Sequence, residues 1–198
     1  AISPRFAITS TPEQLEICST IINEHPSCYL QTHLSENKEE IALAKKLYPD
    51  CNNYTSIYQR YNFLGPNSLF GHCIHLSEKE MAIMSETKSV AVFCPTSNLF
   101  LGSGLFNLQN FLKQKPNVRI AVGTDIGGGT DYSMLKTMDE AYKILQLQRQ
   151  RFSPIESFYQ ITLGNAQALS LENKIGTFGI ESDADIIVLD AKATSAMK

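Results

Sequence analysis

Three short segments of this chain join chemically active side chains to backbone features able to fix them. The run Gly123-Thr124-Asp125-Ile126-Gly127-Gly128-Gly129-Thr130 closes the apolar stretch 118–122. It sets a carboxylate where a buried strand would end, and its glycines let a loop pass close to whatever Asp125 holds. The same Asp would equally serve as a turn residue or helix cap. His33 follows Leu30-Gln31-Thr32 and opens His33-Leu34-Ser35-Glu36, and His72 follows Leu69-Phe70-Gly71. Taken singly, each His reads most simply as a hydrogen-bonded structural residue, and Glu36 as an acid in the first turn of a helix. Together, H-x-x-E, G-H and G-T-D stand at the ends of separate strands. In a parallel barrel those ends converge on one face, so His33, His72 and Asp125 would meet. Two imidazoles and a carboxylate suit zinc, which accepts N and O ligands and brings the pKa of water toward neutrality. Glu36 would then carry a proton between that water and a leaving group. His25 and His75 read as surface or loop residues.

The elements that must position these groups alternate. Candidate strands are Phe6-Ala7-Ile8 and residues 28–32, 68–71, 90–93 and 118–122. Thr11-Pro12-Glu13 opens a helix running to about Asn23. Residues 35–40 open a second with early acids, ending before Pro49. Ser77-x-x-Glu80 is a capping-box pattern for a third, residues 131–151 give a long fourth, and Ser153-Pro154-Ile155-Glu156 starts another. Strand–helix alternation predicts an α/β chain of parallel βα units. Beyond about Leu171 the pattern changes: residues 174–179 are turn-rich, and residues 183–190 read as a β-strand of a separate small element.

Composition excludes several classes of function. With 43% hydrophobic and 19% charged residues the chain can build one sizeable core. A formal net charge of −3 leaves no basic stripe for phosphates, which argues against nucleic-acid or anionic-membrane partners. No apolar run approaches the ~18 residues needed to span a bilayer. Cys18, Cys28, Cys51, Cys73 and Cys94 are odd in number and contain no C-x-x-C, as expected of reduced residues in a cytoplasmic protein. No signal-peptide pattern is present. The chain opens at Ala1 without Met, which suggests a processed or truncated product.

The segments Ser3-Pro4-Arg5-Phe6, Gln31-Thr32-His33-Leu34-Ser35-Glu36-Asn37, Gly71-His72-Cys73, Phe93-Cys94-Pro95-Thr96-Ser97-Asn98-Leu99 and Gly123-Thr124-Asp125-Ile126-Gly127-Gly128-Gly129 resemble the guanine deaminases of the amidohydrolase superfamily. The resemblance covers nearly the whole chain, with P-R-F and H-x-S-E-N specific to the guanine-acting branch. It implies a zinc-dependent (β/α)₈ barrel of purine catabolism that converts guanine to xanthine and ammonia. By the same resemblance His33 and Asp125 are zinc ligands, Glu36 is the proton shuttle, and His72 lies beside the metal and contacts substrate. Glu36, Asp125 and His72 form the implied catalytic set, and His33, Glu36, His72 and Asp125 all border the substrate. Arg5 and Phe6 would hold the purine, the guanidinium by hydrogen bonds and the ring by stacking. Residues 94–98 would line the site from an intervening strand; on their own they are equally a turn after a strand.

One departure is plain. The superfamily carries an H-x-H pair on its first barrel strand, and no H-x-H occurs here. The match begins roughly at the fourth strand, and a full barrel takes about 250 residues. The expectation is therefore a partial TIM barrel: residues 1–171 form about the last five βα units, and residues 172–198 form a return segment of a small β domain. Its open edges would associate with a missing N-terminal half of the barrel or with a second copy, a homodimer being expected of the complete enzyme. The alternatives are an amidohydrolase acting on another aminated heterocycle, of adenosine or triazine type, and a non-catalytic fold fragment. Arg5-Phe6 favours guanine, whose 6-oxo and N7 edge presents acceptors to a guanidinium. Arg5→Ala in the complete enzyme is expected to raise KM for guanine strongly and leave metal content alone, since each charge-assisted hydrogen bond is worth ~1.5–3 kcal/mol. Steady-state kinetics check this, and an unchanged KM would mean that Arg5 faces elsewhere.

Overall fold

A computed structural model describes residues 1–190, 192 and 194. Four strands, β1 (Leu30–Leu34), β2 (Ser68–His72), β3 (Val90–Phe93) and β4 (Arg119–Val122), form one sheet in the order β1-β2-β3-β4. Every neighbouring pair is parallel, with His33 level with Gly71, Leu34 with His72, and Phe93 with Val122. Parallel neighbours cannot be joined by tight turns, so the chain crosses over through helices between them. This is the arrangement of successive βα units in a partial (β/α)₈ barrel. Among the described residues no helix is long and apolar enough to cross a membrane.

The helices begin where side chains can satisfy free N–H groups. Thr11 caps α1 (Pro12–Glu24), whose proline stands in the first turn. Asn37 and Glu40 form a capping box for α2 (Lys38–Leu47), and Asn53 with Ser56 does the same for α3 (Tyr54–Arg60). Ser77 and Glu80 box α4 (Glu78–Glu86). Short helices α5 (Pro95–Phe100) and α6 (Leu108–Leu112) follow β3. Ser133 caps α7 (Met134–Leu147), which is shorter than the expected 131–151; it ends before Arg149, which adopts a left-handed φ of 57°. The next helix starts as α8 (Pro154–Tyr159), passes through a π-helical turn (Gln160–Gly164) and finishes as α9 (Asn165–Ala168).

Two expectations are corrected. Phe6-Ala7-Ile8 is not a strand: Ala7–Thr9 forms a 3₁₀ turn, with Ala7 fully buried and its N–H donated to Tyr58 Oη at 3.2 Å. The edge contact lies earlier, where Ile2 bridges Leu30 in parallel, so among the described residues four strands and this edge bridge stand where about five strands were expected. Residues 183–190 form no strand, and Ile186, Ile187, Val188 and Leu189 are exposed. A strand requires a partner for its N–H and C=O groups, and none lies beside this segment among the described residues.

The core is aromatic at its centre. Tyr58, Phe63 and Phe70 pack with ring centroids 5.4–6.0 Å apart, and Phe106 stacks between Phe93 and Phe111 at 4.6 Å from each. Tyr58 is also a polar hub. Its hydroxyl accepts from Ala7 N, donates to the His33 carbonyl at 2.6 Å and lies 3.1 Å from Thr32 Oγ1. Tyr58→Phe is therefore expected to strand a buried N–H and lower stability by about 1–3 kcal/mol. In a urea titration of the full-length protein the midpoint should fall with the slope unchanged.

Candidate active site

The C-terminal ends of β1, β2 and β4 bring together the three residues expected to converge. His33 lies within β1 and His72 ends β2, while Asp125 follows β4 by three residues. One ligand atom from each of these residues can be chosen so that all lie within 4.8 Å of one another. His72 Nε2 is 3.7 Å from Glu36 Oε2 and 3.8 Å from Asp125 Oδ2. The chain leaves the sheet here through left-handed residues, with φ of 53° at Ser35, 68° at His72, 52° at Cys73 and 47° at Asp125. Such residues are uncommon and gather where function constrains the backbone.

Both imidazoles are fixed from behind. His33 Nδ1 lies 2.7 Å from the Arg5 carbonyl oxygen, which only accepts, so Nδ1 carries the proton and Nε2 keeps a lone pair. His72 Nδ1 lies 2.9 Å from Asn98 Oδ1, and the same argument leaves its Nε2 lone pair toward the two carboxylates. Burial lowers the pKa of His33, partly offset by the Arg5 carbonyl bond, and favours the neutral ring that can act as a ligand. An imidazole lone pair beside two carboxylates is an arrangement a cation relieves. The donor set, nitrogen from the histidines and oxygen from Asp125 with one atom of each of His33, His72 and Asp125 within 4.8 Å of the others, therefore fits zinc. Burial pushes the Cys94 thiol up to about 12, so although it lines the same cavity it is no nucleophile near neutral pH.

Glu36 is buried and precedes the cap residue Asn37, so it is not a first-turn acid of α2. That capping role belongs to Glu40, whose Oε2 accepts from the N–H groups of Glu36 at 2.7 Å and Asn37 at 3.2 Å. Glu36 Oε1 instead accepts a hydrogen bond from Ser103 Oγ at 2.8 Å. Phe6 stacks on His33 with centroids 4.0 Å apart, and His33 on His72 at 5.2 Å. Arg5 is exposed and stands over Phe6, with Cζ 5.2 Å from the ring centroid, so its guanidinium is not drawn into the histidine cluster. Its carbonyl is, accepting from His33 N and Nδ1 and from Thr32 Oγ1. Of residues 94–98, Asn98 holds His72, and Thr96 Oγ1 donates to the Thr124 carbonyl at 3.2 Å.

Beneath this cluster lies a cavity of about 450 Å³, lined by His33, His72, Cys94, Thr124 and Asp125 and floored by Leu69 and Val92. Sequence reasoning did not find Ser103 or Glu40. Ser103 sits in a glycine-flanked loop without periodicity, and Glu40 was visible only as one of several early helix acids.

The whole chain, residues 1–198, matches the Amidohydrolase family. It is 51% identical over 194 residues to guanine deaminase of Escherichia coli (strain K12), an alignment covering 98% of this chain and 44% of that protein. Among solved structures, E. coli guanine deaminase superimposes with a TM-score of 0.94 at 49% identity, over 98% of this chain and 45% of that one. Guanine deaminase from C. acetobutylicum, with bound guanine in the active site, gives 0.81 at 29% identity, over 89% and 42% respectively. The chain thus spans a little under half the length of the relatives it matches.

The loop after Asp125 is close-packed. A Cβ on Gly128 would come 2.7 Å from Ser97 Oγ and 3.0 Å from Asp125 Oδ2, and one on Gly129 would collide with the Thr124 carbonyl oxygen. Gly129→Ala is therefore expected to displace the backbone that carries Asp125. Metal titration of the full-length protein should show affinity at least ~10-fold weaker than the parent.

Proposed function

The chain belongs to the amidohydrolase family, and on that basis we propose that it is part of a zinc-dependent guanine deaminase, hydrolysing guanine to xanthine and ammonia. The observation that carries this reading is the meeting of His33, His72 and Asp125 from three strand ends, with buried Glu36 facing the same point. His33 Nε2 and an Asp125 carboxylate oxygen would hold the zinc. His25 lies exposed at the end of α1, and His75 Nε2 bonds the Ser103 carbonyl oxygen, so neither joins the group. Further ligands would come from the missing part of the barrel. When bound, zinc supplies the Lewis acidity that makes water nucleophilic near neutral pH.

The chain's own residues do the rest. Glu36 Oε2 takes a proton from the attacking water and returns it to the departing amine. His72 Nε2, held by Asn98, faces the reacting centre and contacts the substrate. Phe6 offers its ring to the purine, and exposed Arg5 is free to turn its guanidinium to the acceptors of guanine's O6 and N7 edge. The C. acetobutylicum relative, which holds guanine in its active site, supports this choice of substrate. The outer edge of β4 and the apolar residues 186–189 would meet the missing barrel half, and the complete enzyme would form a homodimer. The five free cysteines suit a cytoplasmic location.

The full-length protein, assayed by ammonia release, should turn over guanine in preference to adenosine or a triazine. Glu36→Gln should retain metal while losing about 10²-fold or more in rate, the usual worth of a positioned proton carrier. Asp125→Asn should lose turnover more than purine binding. Near-normal deamination by either variant, or preference for another heterocycle, would defeat the reading.

A further inference from the structure

The two oxygens of the Glu36 carboxylate occupy different surroundings. Oε2 faces His72 Nε2 across 3.7 Å, whereas Oε1 is turned away and bonded by Ser103 Oγ at 2.8 Å. Ser103 lies 67 residues from Glu36 in sequence, so its arrival there is a product of the fold alone. It is itself held at every polar atom. Its N–H donates to the Asn98 carbonyl at 3.0 Å, and its own carbonyl accepts from His75 Nε2 at 2.9 Å. Gly104, with φ of 138°, lets the loop press on the β2–α4 connection: a Cβ there would stand 3.0 Å from Ile74 Cγ2 and 3.3 Å from His75 Cε1. Asn98 thereby anchors both partners, binding His72 through its side chain and Ser103 through its backbone.

We propose that Ser103 is a positioning residue that fixes the rotation of the Glu36 carboxyl group, so that the proton is taken and returned at the same oxygen. This rests on the reading of Glu36 as the proton carrier. A glutamate's terminal torsion is broad and two-fold, and nothing in its covalent structure distinguishes one oxygen from the other. A hydroxyl donating to Oε1 makes that distinction whether or not Oε2 is protonated. Without it, Oε1 is left buried and unpaired, and the carboxyl group turns to find another donor. Because the purine is not touched, the loss should fall on kcat and not on KM. His75 acts one step further back, as the clamp on the Ser103 backbone.

The test is steady-state deamination of guanine by the full-length, metal-loaded protein carrying Ser103→Ala, Ser103→Thr, Glu36→Gln and the double change Glu36→Gln/Ser103→Ala. Ser103→Ala keeps both backbone bonds, and metal content with circular dichroism verify that the protein is folded and loaded. It should lower kcat about 10–100-fold with KM within roughly threefold of the parent, as expected for one charge-assisted bond made to a group acting in the transition state. Ser103→Thr, which keeps the hydroxyl, should recover most of that loss. In the Glu36→Gln background, Ser103→Ala should cost almost nothing more, because the two residues act as one unit. An unchanged kcat in Ser103→Ala, a loss confined to KM, a Thr variant as slow as Ala, or the full loss recurring in the Glu36→Gln background would each overturn the proposal. Absence of guanine turnover in the parent, or full activity in Glu36→Gln, would instead defeat the reading of Glu36 and leave a different signature.

Discussion

The parallel ladder of β1 to β4 is the constraint on which the rest of the molecule depends. When neighbouring strands run the same way, every strand leaves the sheet on the same side, and each chain reversal must happen elsewhere, through a helix. The register then sets levels. His33 stands beside Gly71 and Leu34 beside His72, so regular alternation would set the two imidazoles on opposite faces; the left-handed φ of 68° at His72, where β2 ends, lets its ring meet that of His33. Phe93 stands beside Val122, and the Gly123 N–H still donates to the Phe93 carbonyl at 3.0 Å, which carries the ladder almost to Asp125. A slip of one residue in any pair would turn these side chains to the opposite face.

Around that sheet the buried acids divide their labour. Glu80 is a structural carboxylate: one oxygen accepts from Ser77, and the other from the N–H and hydroxyl of Thr55, which ties α4 to α3. Glu40 performs the same service for α2 and reaches back to the Glu36 N–H. Glu40 Oε1 and Glu36 Oε2 are each left without a hydrogen bond, but only the Glu36 oxygen faces the histidines, 3.7 Å from His72 Nε2. Capping boxes thus relieve the catalytic candidate of any duty in holding a helix, although its position three residues after His33 resembles that of a capping acid.

Much of this was legible in the sequence where the physics is local. Alternation of apolar runs located the four strands within a few residues, and Thr11, Ser77 and Ser153 marked helix starts because a cap acts on its own first turn. That His33, His72 and Asp125 share one edge of the sheet was legible because parallel topology implies it; the left-handed backbone at His72 and Asp125 that accompanies their meeting was not. What was hidden depends on distant partners. The helix Tyr54–Arg60 is rich in aromatic and β-branched residues and is held by burial of Tyr54, Ile57 and Tyr58 more than by propensity. Residues 183–190 carry a strand-like pattern, but pattern does not create a neighbour to pair with. For Arg5 the sequence drew attention to the guanidinium, which stands over Phe6, whereas the hydrogen bonds to His33 and Thr32 are made by its carbonyl.

The stack of Phe6, His33 and His72 has a consequence for how the site meets its ligands. His33 is held between two aromatic faces, 4.0 Å from one centroid and 5.2 Å from the other, with its Nδ1 anchored to the first segment of the chain. Turning that ring over would break the Arg5 bond and drive its edges through both neighbours. Its two nitrogens therefore keep their roles, and the rotational entropy of the ring is surrendered when the protein folds, not when an ion or a purine arrives. Association then begins from a preorganised histidine, and the ordering it still requires is concentrated in Arg5, the exposed member of the group.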